Sequence, residues 1–236
     1  LRDGVGPPYE ALDRAVDEAR RSARGMSGTL RLGMYTPING GPHLVEIVRT
    51  FETRHPACRV EITDTGFGVP QLDWLRDGRL DLLATRLPVD DPDLTIGPRL
   101  SREERILVVG VDHPLAGRAS VSVEDLAGHT VPEVPTLPAA TMRELIPTTT
   151  PSGRPIAQRT VRTMGEAVTL VALGEIVHPT VTSFVQHYRH PGITSVPLTG
   201  LPPSESALVW LTGRGMPEVL AFAEAAAAVV RAHGAA

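Results

Sequence analysis

Residues 75–88 read LRDGRLDLLATRLP, and this stretch decides the fold class. The letters LRDG end a helical pattern, and the glycine at their close marks a turn. The apolar run LDLLATR at 80–86 follows as a predicted strand, which Arg86 and Pro88 close. A helix, a glycine turn and a buried strand in this order are typical of an α/β protein.

Strand-like and helical patterns alternate on both sides of this stretch, from residue 29 to the end of the chain. This alternation predicts an α/β fold with mostly parallel strands. Strands are predicted at 29–35, 58–64, 80–86, 105–111, 192–198 and 206–212, and helices at 43–54, 68–78, 166–174 and 216–234. The segment 131–158 is rich in proline and threonine, so we expect loops there, with one short helical piece near 141–146.

The composition is that of an ordinary globular protein. Of the 236 residues, 42% are hydrophobic and 21% charged, and no apolar run approaches the ~18 residues that cross a bilayer, so no membrane partner is expected. A single cysteine, Cys58, rules out an intrachain disulfide and favours a cytoplasmic location. The formal net charge of -4 lacks the basic surface that DNA binding needs, so we expect this chain by itself not to bind DNA specifically.

Several local patterns, taken in chain order, resemble one protein family. They are FETRHP at 51–56, CRVEI at 58–62, the stretch at 75–88, LTIGPRLSREERILVV at 94–109, DHPLAGR at 112–118, VSVEDLAG at 121–128 and MGEAVTLVALGEIVHP at 164–179. Each pattern alone is weak. Their order and spacing resemble the effector-binding domain of bacterial LysR-type transcriptional regulators over roughly residues 28–230.

The resemblance also implies which parts of such a regulator the first 27 residues correspond to. In such regulators a winged helix-turn-helix runs into a long linker helix, and here residues 1–6 resemble the end of the wing and residues 9–24 the linker helix. We expect the DNA-binding domain to lie outside this chain, so promoter DNA would be a partner only through that domain. Leu12, Val16, Ala19 and Ala23 form a narrow apolar seam, which fits either packing against a partner helix or a solvated tail.

The resemblance further implies a two-lobed fold like that of type 2 periplasmic binding proteins, with Rossmann-like subdomains joined by two crossover strands. Subdomain I would comprise residues 28–104 and 208–236, and subdomain II residues 105–207. The strands at 105–111 and 206–212 would be the crossovers. A small-molecule effector would bind in the cleft between the lobes, and the protein would self-associate as a dimer, or as a tetramer at full length.

Candidate effector contacts lie in the loops that follow strands, where α/β proteins bind ligands. They are Tyr35, Thr36, Pro37, Ile38, Asn39, Arg86, Leu87, Pro135, Thr136, Thr163, Met164 and His178. Three alternatives stay open. Arg86 can pair with an effector carboxylate or with a nearby acid, and Thr163 can contact the effector or only cap its helix. The placement of His178 is open as well, because the family's Gly-x-Gly is here Gly174-Glu175-Ile176.

The chemistry of these loops suggests an effector with a carboxylate. They present hydroxyl groups and backbone donors, and Glu133 is the one acidic residue near them. A small organic acid is therefore the expected ligand, held by Thr36, Thr136, Thr163 and Arg86.

Other functions have less support in the sequence. The histidines at 187–190 could ligate a metal, but no cysteine or carboxylate completes a set, so neither a metal nor another cofactor is expected. No hydrolase, phosphate-loop or dinucleotide pattern is present, so we expect no enzyme activity. A solute-binding protein of a transport system remains the alternative to a regulator, since it would share the fold.

Overall fold

A computed structural model describes residues 27–214 and 216–234. Its strands are β1 (Gly28–Met34), β2 (Cys58–Asp64), β3 (Leu82–Arg86), β4 (Leu94–Glu103), β5 (Arg105–Gly110), β6 (Val121–Ser122), β7 (Thr130–Glu133), β8 (Ala157–Thr160), β9 (His178–Val181), β10 (Ile193–Thr199) and β11 (Ser204–Leu211). Its helices are α1 (Leu44–Arg54), α2 (Gln71–Arg76), α3 (Ala139–Leu145), α4 (Met164–Ala172), α5 (Phe184–His187) and α6 (Pro217–Ala232). Short 3-10 turns cover Pro37–Gly40, Gly66–Gly68 and Val123–Leu126.

A five-stranded sheet forms the first lobe. Its strand order is β2-β1-β3-β11-β4, with β1 parallel to β2 and β3, and β11 antiparallel to β3 and β4. One face packs on α1 and α6, because alternate residues of β1, including Leu30 and Leu32, point into the same core as Phe51 and Phe222. The rings of Phe51 and Phe222 meet edge to face at 5.4 Å, which holds the two helices together.

A second, four-stranded sheet forms the other lobe. Its order is β6-β10-β5-β9, and β5 is antiparallel to both β10 and β9. The parallel pair β7-β8 lies beside this sheet, since the N–H of Val177 donates to the carbonyl oxygen of Thr130 at 2.8 Å. Leu107 and Val109 of β5 point into this lobe's own core, whereas Ile106 and Val108 belong to a cluster shared with the first lobe.

The chain passes between the two sheets twice. Glu104 alone separates β4 from β5, and residues 200–203 separate β10 from β11. The predicted subdomain boundaries at 104/105 and 207/208 stay a prediction. Strand β11 is paired with the five-stranded sheet from Ser204 onward.

Most of the predicted elements are confirmed, but two expectations were wrong. The ten-residue strand β4 was missed, because Gly97 and Pro98 interrupt its pattern. The segment 131–158 is mostly loop with α3 at the predicted helical piece, as expected, and it also holds most of β7 and the start of β8, which are too short to show a periodicity. Parallel pairing is also less general than expected, since the second sheet pairs mainly antiparallel.

Two further expectations concern the ends of the chain and the membrane. The predicted wing remnant at 1–6 and linker helix at 9–24 lie outside the described residues and stay predictions. Pro217 occupies the first turn of α6 and Gly234 follows its end with φ +68°, as the sequence predicted. Among the described helices, none combines the length and the apolar character that a membrane crossing requires.

Candidate functional site

The two lobes meet at an apolar cluster in a cleft. Tyr35, at the carboxyl end of β1, lies there with Ile38 and Phe67 from the first lobe. From the second lobe come the side chains of Ile106, Val108, Val134, Val161, Ala167, Leu170, Val171, Ile176, Val181 and Phe184. Both lobes therefore contribute walls to a single site at strand ends, which is where α/β sheets bind ligands.

Hydrogen bonds also join the lobes across the cleft. The Tyr35 hydroxyl donates to the carbonyl oxygen of Thr136 at 3.3 Å. The Thr136 hydroxyl in turn donates to the carbonyl oxygen of Phe67 at 2.5 Å. The Thr141 hydroxyl donates to the carbonyl oxygen of Pro88 at 2.7 Å. These three bonds tie the two walls of the cleft to each other. Burial also raises the pKa of the Tyr35 hydroxyl, so this group stays a neutral donor at physiological pH.

A cavity of about 70 Å³ remains inside the cleft, and the space out to its open mouth is about 600 Å³. It is lined by Tyr35, Thr36, Ile38, Asn39, Phe67, Arg86, Val134, Leu137, Thr141, Leu145, Ile146, Met164, His178, Pro179, Thr180 and Val181. A benzene-sized guest occupies a cavity of roughly 150 Å³. An effector with an aromatic ring would therefore enter only if the cleft widened.

Arg86, the last residue of β3, is buried and paired with Glu103 at the end of β4. Its Nη2 lies 2.6 Å from Glu103 Oε1, and the same nitrogen donates to the carbonyl oxygen of Ile38 at 3.4 Å. The other carboxylate oxygen of Glu103 accepts the N–H of Ser183 from the second lobe at 2.9 Å. Burial alone would raise the pKa of Glu103, but Arg86 and the Ser183 donor hold this pKa below its ordinary value.

Arg105, the first residue of β5, is a second buried cation and was missed by the sequence analysis. Only 3% of the residue is exposed. Its Nη2 donates to the carbonyl oxygen of Leu145 in the cavity wall, whereas Nε and Nη1 have no hydrogen-bond partner among the described residues. Burial lowers the pKa of Arg105 to about 10, with Glu144 opposing the shift and Arg86 adding to it. The group is still charged at neutral pH.

His178, the first residue of β9, lies in the cavity wall and is neutral. Its ring meets that of Phe184 edge to face at 5.2 Å, and its Nδ1 has no partner among the described residues. Burial, reinforced by the nearby Arg105 cation, lowers the pKa of His178 to about 4. The cleft thus holds two buried guanidinium groups, one paired carboxylate and an uncharged imidazole.

Seven of the twelve predicted contacts line the cavity: Tyr35, Thr36, Ile38, Asn39, Arg86, Met164 and His178. Pro37, Leu87, Pro135, Thr136 and Thr163 do not. Thr136 instead bonds the two lobes, and Thr163 caps α4 by accepting the N–H of Glu166 at 3.0 Å. Whether any of the twelve binds an effector stays a prediction.

For several lining residues, no sequence pattern indicated a position in the cleft. Phe67 follows β2, Leu137 precedes α3, and Thr141 and Leu145 lie within α3, a helix predicted only as a short piece in a loop. Arg105, in contrast, could have been recognised from the sequence, because it is a charged residue at the start of the otherwise apolar run RILVVGV. A charge that begins a buried strand has to meet a partner or a ligand.

A larger cavity of about 580 Å³ lies away from the cleft, between β4, β11 and α6. Arg99, Arg102 and Arg231 at its rim are exposed, and Glu205 already pairs with Arg99 at 3.2 Å. Solvated charges of this kind need no ligand. The cleft remains the better candidate, since the buried Nδ1 of His178 in its wall and two nitrogens of the adjacent Arg105 lack partners among the described residues.

Comparisons with known proteins place this arrangement in a family. The model of the LysR substrate binding domain matches residues 23–231. This chain belongs to that family. The HTH-type transcriptional regulator BudR of Raoultella terrigena is 24% identical over 115 residues, which span 49% of this chain and 39% of BudR.

Solved structures with the same fold agree with this assignment. The effector binding domain of BenM with its effector benzoate superimposes with a TM-score of 0.68 at 22% identity, over 88% of this chain and 94% of that one. The effector binding domain of QuiR in complex with shikimate gives 0.69 at 20% identity, over 88% of this chain and 99% of that one. These likenesses confirm the type 2 periplasmic-binding-protein-like fold of this LysR domain, and the family match favours a regulator over a transport protein.

We predict that the Arg86–Glu103 pair in the LysR domain is strongly coupled. Arg86→Met leaves a carboxylate unpaired in a buried site, so the free energy of unfolding should fall by about 3–5 kcal/mol. Arg86→Met combined with Glu103→Gln should cost at least ~1 kcal/mol less than the sum of the single changes in urea denaturation. The exposed pair Arg99–Glu205 is the matched control, with an expected coupling below ~1 kcal/mol. Additive effects at Arg86 and Glu103 would contradict the prediction.

We also predict that His178 makes stability depend on pH. Its pKa in the folded state, about 4, lies below the ordinary histidine value of ~6.5, so the unfolded chain binds the extra proton and stability is lost as pH falls from about 6.5 towards 4. The free energy of unfolding should fall by roughly 1 kcal/mol per pH unit in this window, and His178→Leu should remove that component. Urea denaturation from pH 7 to pH 4.5 measures it, with exposed His187→Leu as the control. Identical pH slopes in wild type and His178→Leu would refute the assignment.

Proposed function

We propose that this LysR domain senses a small organic molecule with a carboxylate group, bound in the cleft between its lobes. The observation that carries the proposal is Arg105, a buried cation that bonds the Leu145 carbonyl oxygen in the cavity wall and whose Nε and Nη1 lack partners among the described residues. Two neighbours in fold, BenM and QuiR, are named with benzoate and shikimate, which are both carboxylates.

The charge balance of the cleft supports an anionic ligand. Glu103 neutralises Arg86 and His178 is uncharged, so among the described residues Glu144 is the acid that opposes the positive charge of Arg105. A guanidinium presents its donors in a planar fork that matches a carboxylate. Because the group is already desolvated, an added carboxylate would gain attraction without a further desolvation cost on the protein side.

Because the cavity is small, binding of a ligand would require the cleft to change its shape. A ring-containing acid needs more room than the cavity offers, so the bonds from Thr136 to Phe67 and from Thr141 to Pro88 would have to yield. A ligand that prefers the wider cleft shifts the population towards it. In the whole protein, which we propose to be a cytoplasmic transcriptional regulator, this change would reach promoter DNA through a separate winged helix-turn-helix.

We further propose that the domain self-associates, as the family resemblance implied, and that α1 and α4 form the contact surface. Val45 on α1 and Leu173 after α4 are 64% and 65% exposed, which fits a surface that another copy covers. Leu170 is buried in the cleft cluster and does not belong to that surface.

The first test of the carboxylate uses benzoate and shikimate as probes in thermal-shift assays, each beside its neutral amide. We expect an acid and not its amide to raise the melting temperature. Arg105→Met should weaken acid binding by about tenfold or more in calorimetry, because a charged hydrogen bond is lost, yet should leave the stability of the free protein equal or higher. Arg102→Met, at an exposed arginine of β4, is the control. Equal affinity in wild type and Arg105→Met, or equal shifts by acid and amide, would reject the proposal.

A second test concerns the loop after β1. Thr36 is buried in the cavity wall and its hydroxyl donates to Asn39 Oδ1 at 2.9 Å. Thr36→Val keeps the volume but removes the hydroxyl, so affinity for a bound acid should fall by about 1 kcal/mol. Thr163→Val removes only the cap of α4, so it should lower stability by about 1 kcal/mol and leave affinity unchanged. Equal affinities for the acid in wild type and Thr36→Val would move the site away from this loop.

A further inference from the structure

His43, Glu46 and His233 form a cluster on the first lobe, away from the cleft residues. His43 precedes α1, Glu46 lies in the first turn of α1, and His233 follows the last residue of α6. One possible ligand atom from each residue lies within 4.8 Å of those from the other two. Among the residues that the structure describes, they are the one set of three or more histidine, cysteine or acidic side chains so close together.

The geometry within the cluster is tight. Nε2 of His233 lies 2.8 Å from Oε2 of Glu46, and the rings of His43 and His233 stack with centroids 4.0 Å apart and planes 12° from parallel. Two imidazoles and one carboxylate are a ligand set that zinc and similar transition ions accept. We propose that this cluster binds one divalent transition metal ion, with zinc as the best fit.

Packing of the helices explains why residues so distant in sequence meet. α1 and α6 run side by side in opposite directions, with Phe51 against Phe222 at one end and His43 against His233 at the other. The fully buried phenylalanines fix the helices, so the cluster stands on a rigid base. The carboxyl end of α6 favours a cation, and Glu46 offsets the unfavourable amino end of α1.

Only small movements are needed for the ligand atoms to surround an ion. Zinc binds imidazole nitrogen at about 2.0–2.1 Å and carboxylate oxygen at about 2.0–2.2 Å, so the three atoms must draw together slightly. Stacked rings point their nitrogens in similar directions, so one ring must turn. The His233 and Glu46 side chains are 43% and 51% exposed, which leaves them room to move and leaves a fourth position for water.

Calorimetry with zinc chloride tests the proposal on the 236-residue chain after dialysis against EDTA and then metal-free buffer. We expect one zinc ion per chain. His43→Gln, Glu46→Gln and His233→Gln should each weaken binding by about tenfold or more, since even loss of an outer partner of a metal costs ~10-fold. The double variant His187→Gln/His190→Gln, at the other exposed histidine pair, is the matched control and should bind zinc like the wild type.

Thermal unfolding gives an independent readout. Zinc should raise the melting temperature of the wild type and of the control, EDTA should reverse the rise, and His233→Gln should show none. The three ligand positions are half-buried or exposed, so the metal-free variants should unfold close to the metal-free wild type. The absence of zinc binding, equal binding in His233→Gln, or loss of binding in the control would each overturn the proposal.

Discussion

The buried ion pair between Arg86 and Glu103 constrains both lobes of this domain. Charges removed from water have to be paired and fully hydrogen-bonded, so the groups around such a pair are held in place. Here the partners come from four separate parts of the chain: the end of β3, the end of β4, the loop after β1 through Ile38, and the second lobe through the N–H of Ser183. One pair therefore aligns the five-stranded sheet, fixes a wall of the cleft and joins the lobes next to the crossover at Glu104.

Beside the shared apolar cluster, the side-chain hydrogen bonds across the cleft are of a different kind from this ion pair. The bonds made by Tyr35, Thr136 and Thr141 are single neutral hydrogen bonds, and each has a net worth of about 1 kcal/mol. A ligand can replace bonds of that strength, whereas it cannot replace the Arg86–Glu103 pair without a large loss. The lobes thus have a firm joint at the crossover and weaker contacts along the cleft. This distribution suits a hinge whose open and closed forms differ by little free energy.

Much of the fold could be predicted from the sequence, because α1, α6 and the strands β1 to β3 are long or strongly patterned. β4 was missed because Gly97 and Pro98 break its pattern, although Gly97 is needed where a Cβ would lie 2.2 Å from the Trp210 ring. In the site, the loop after β1 and the end of β3 were predictable from strand ends alone. The pairing of Arg86 with Glu103 and the closeness of Arg105 to His178 depend on packing between distant strands, which local sequence patterns do not encode.

The cleft also departs from what stability alone would favour. A methionine at position 105 would fill similar space without a desolvated charge, and a leucine at position 178 would avoid a buried imidazole nitrogen with no partner among the described residues. Arg105 makes one hydrogen bond, to the Leu145 carbonyl oxygen, and His178 packs against Phe184, but neither contact satisfies the remaining buried nitrogens. Buried polar groups without hydrogen-bond partners are expected where a protein binds a ligand that supplies those partners. His178 lines the cavity, and Arg105 bonds the carbonyl oxygen of Leu145, another residue of the cavity wall. Under the proposed function, an anion that accepts hydrogen bonds is the kind of molecule that would satisfy Arg105.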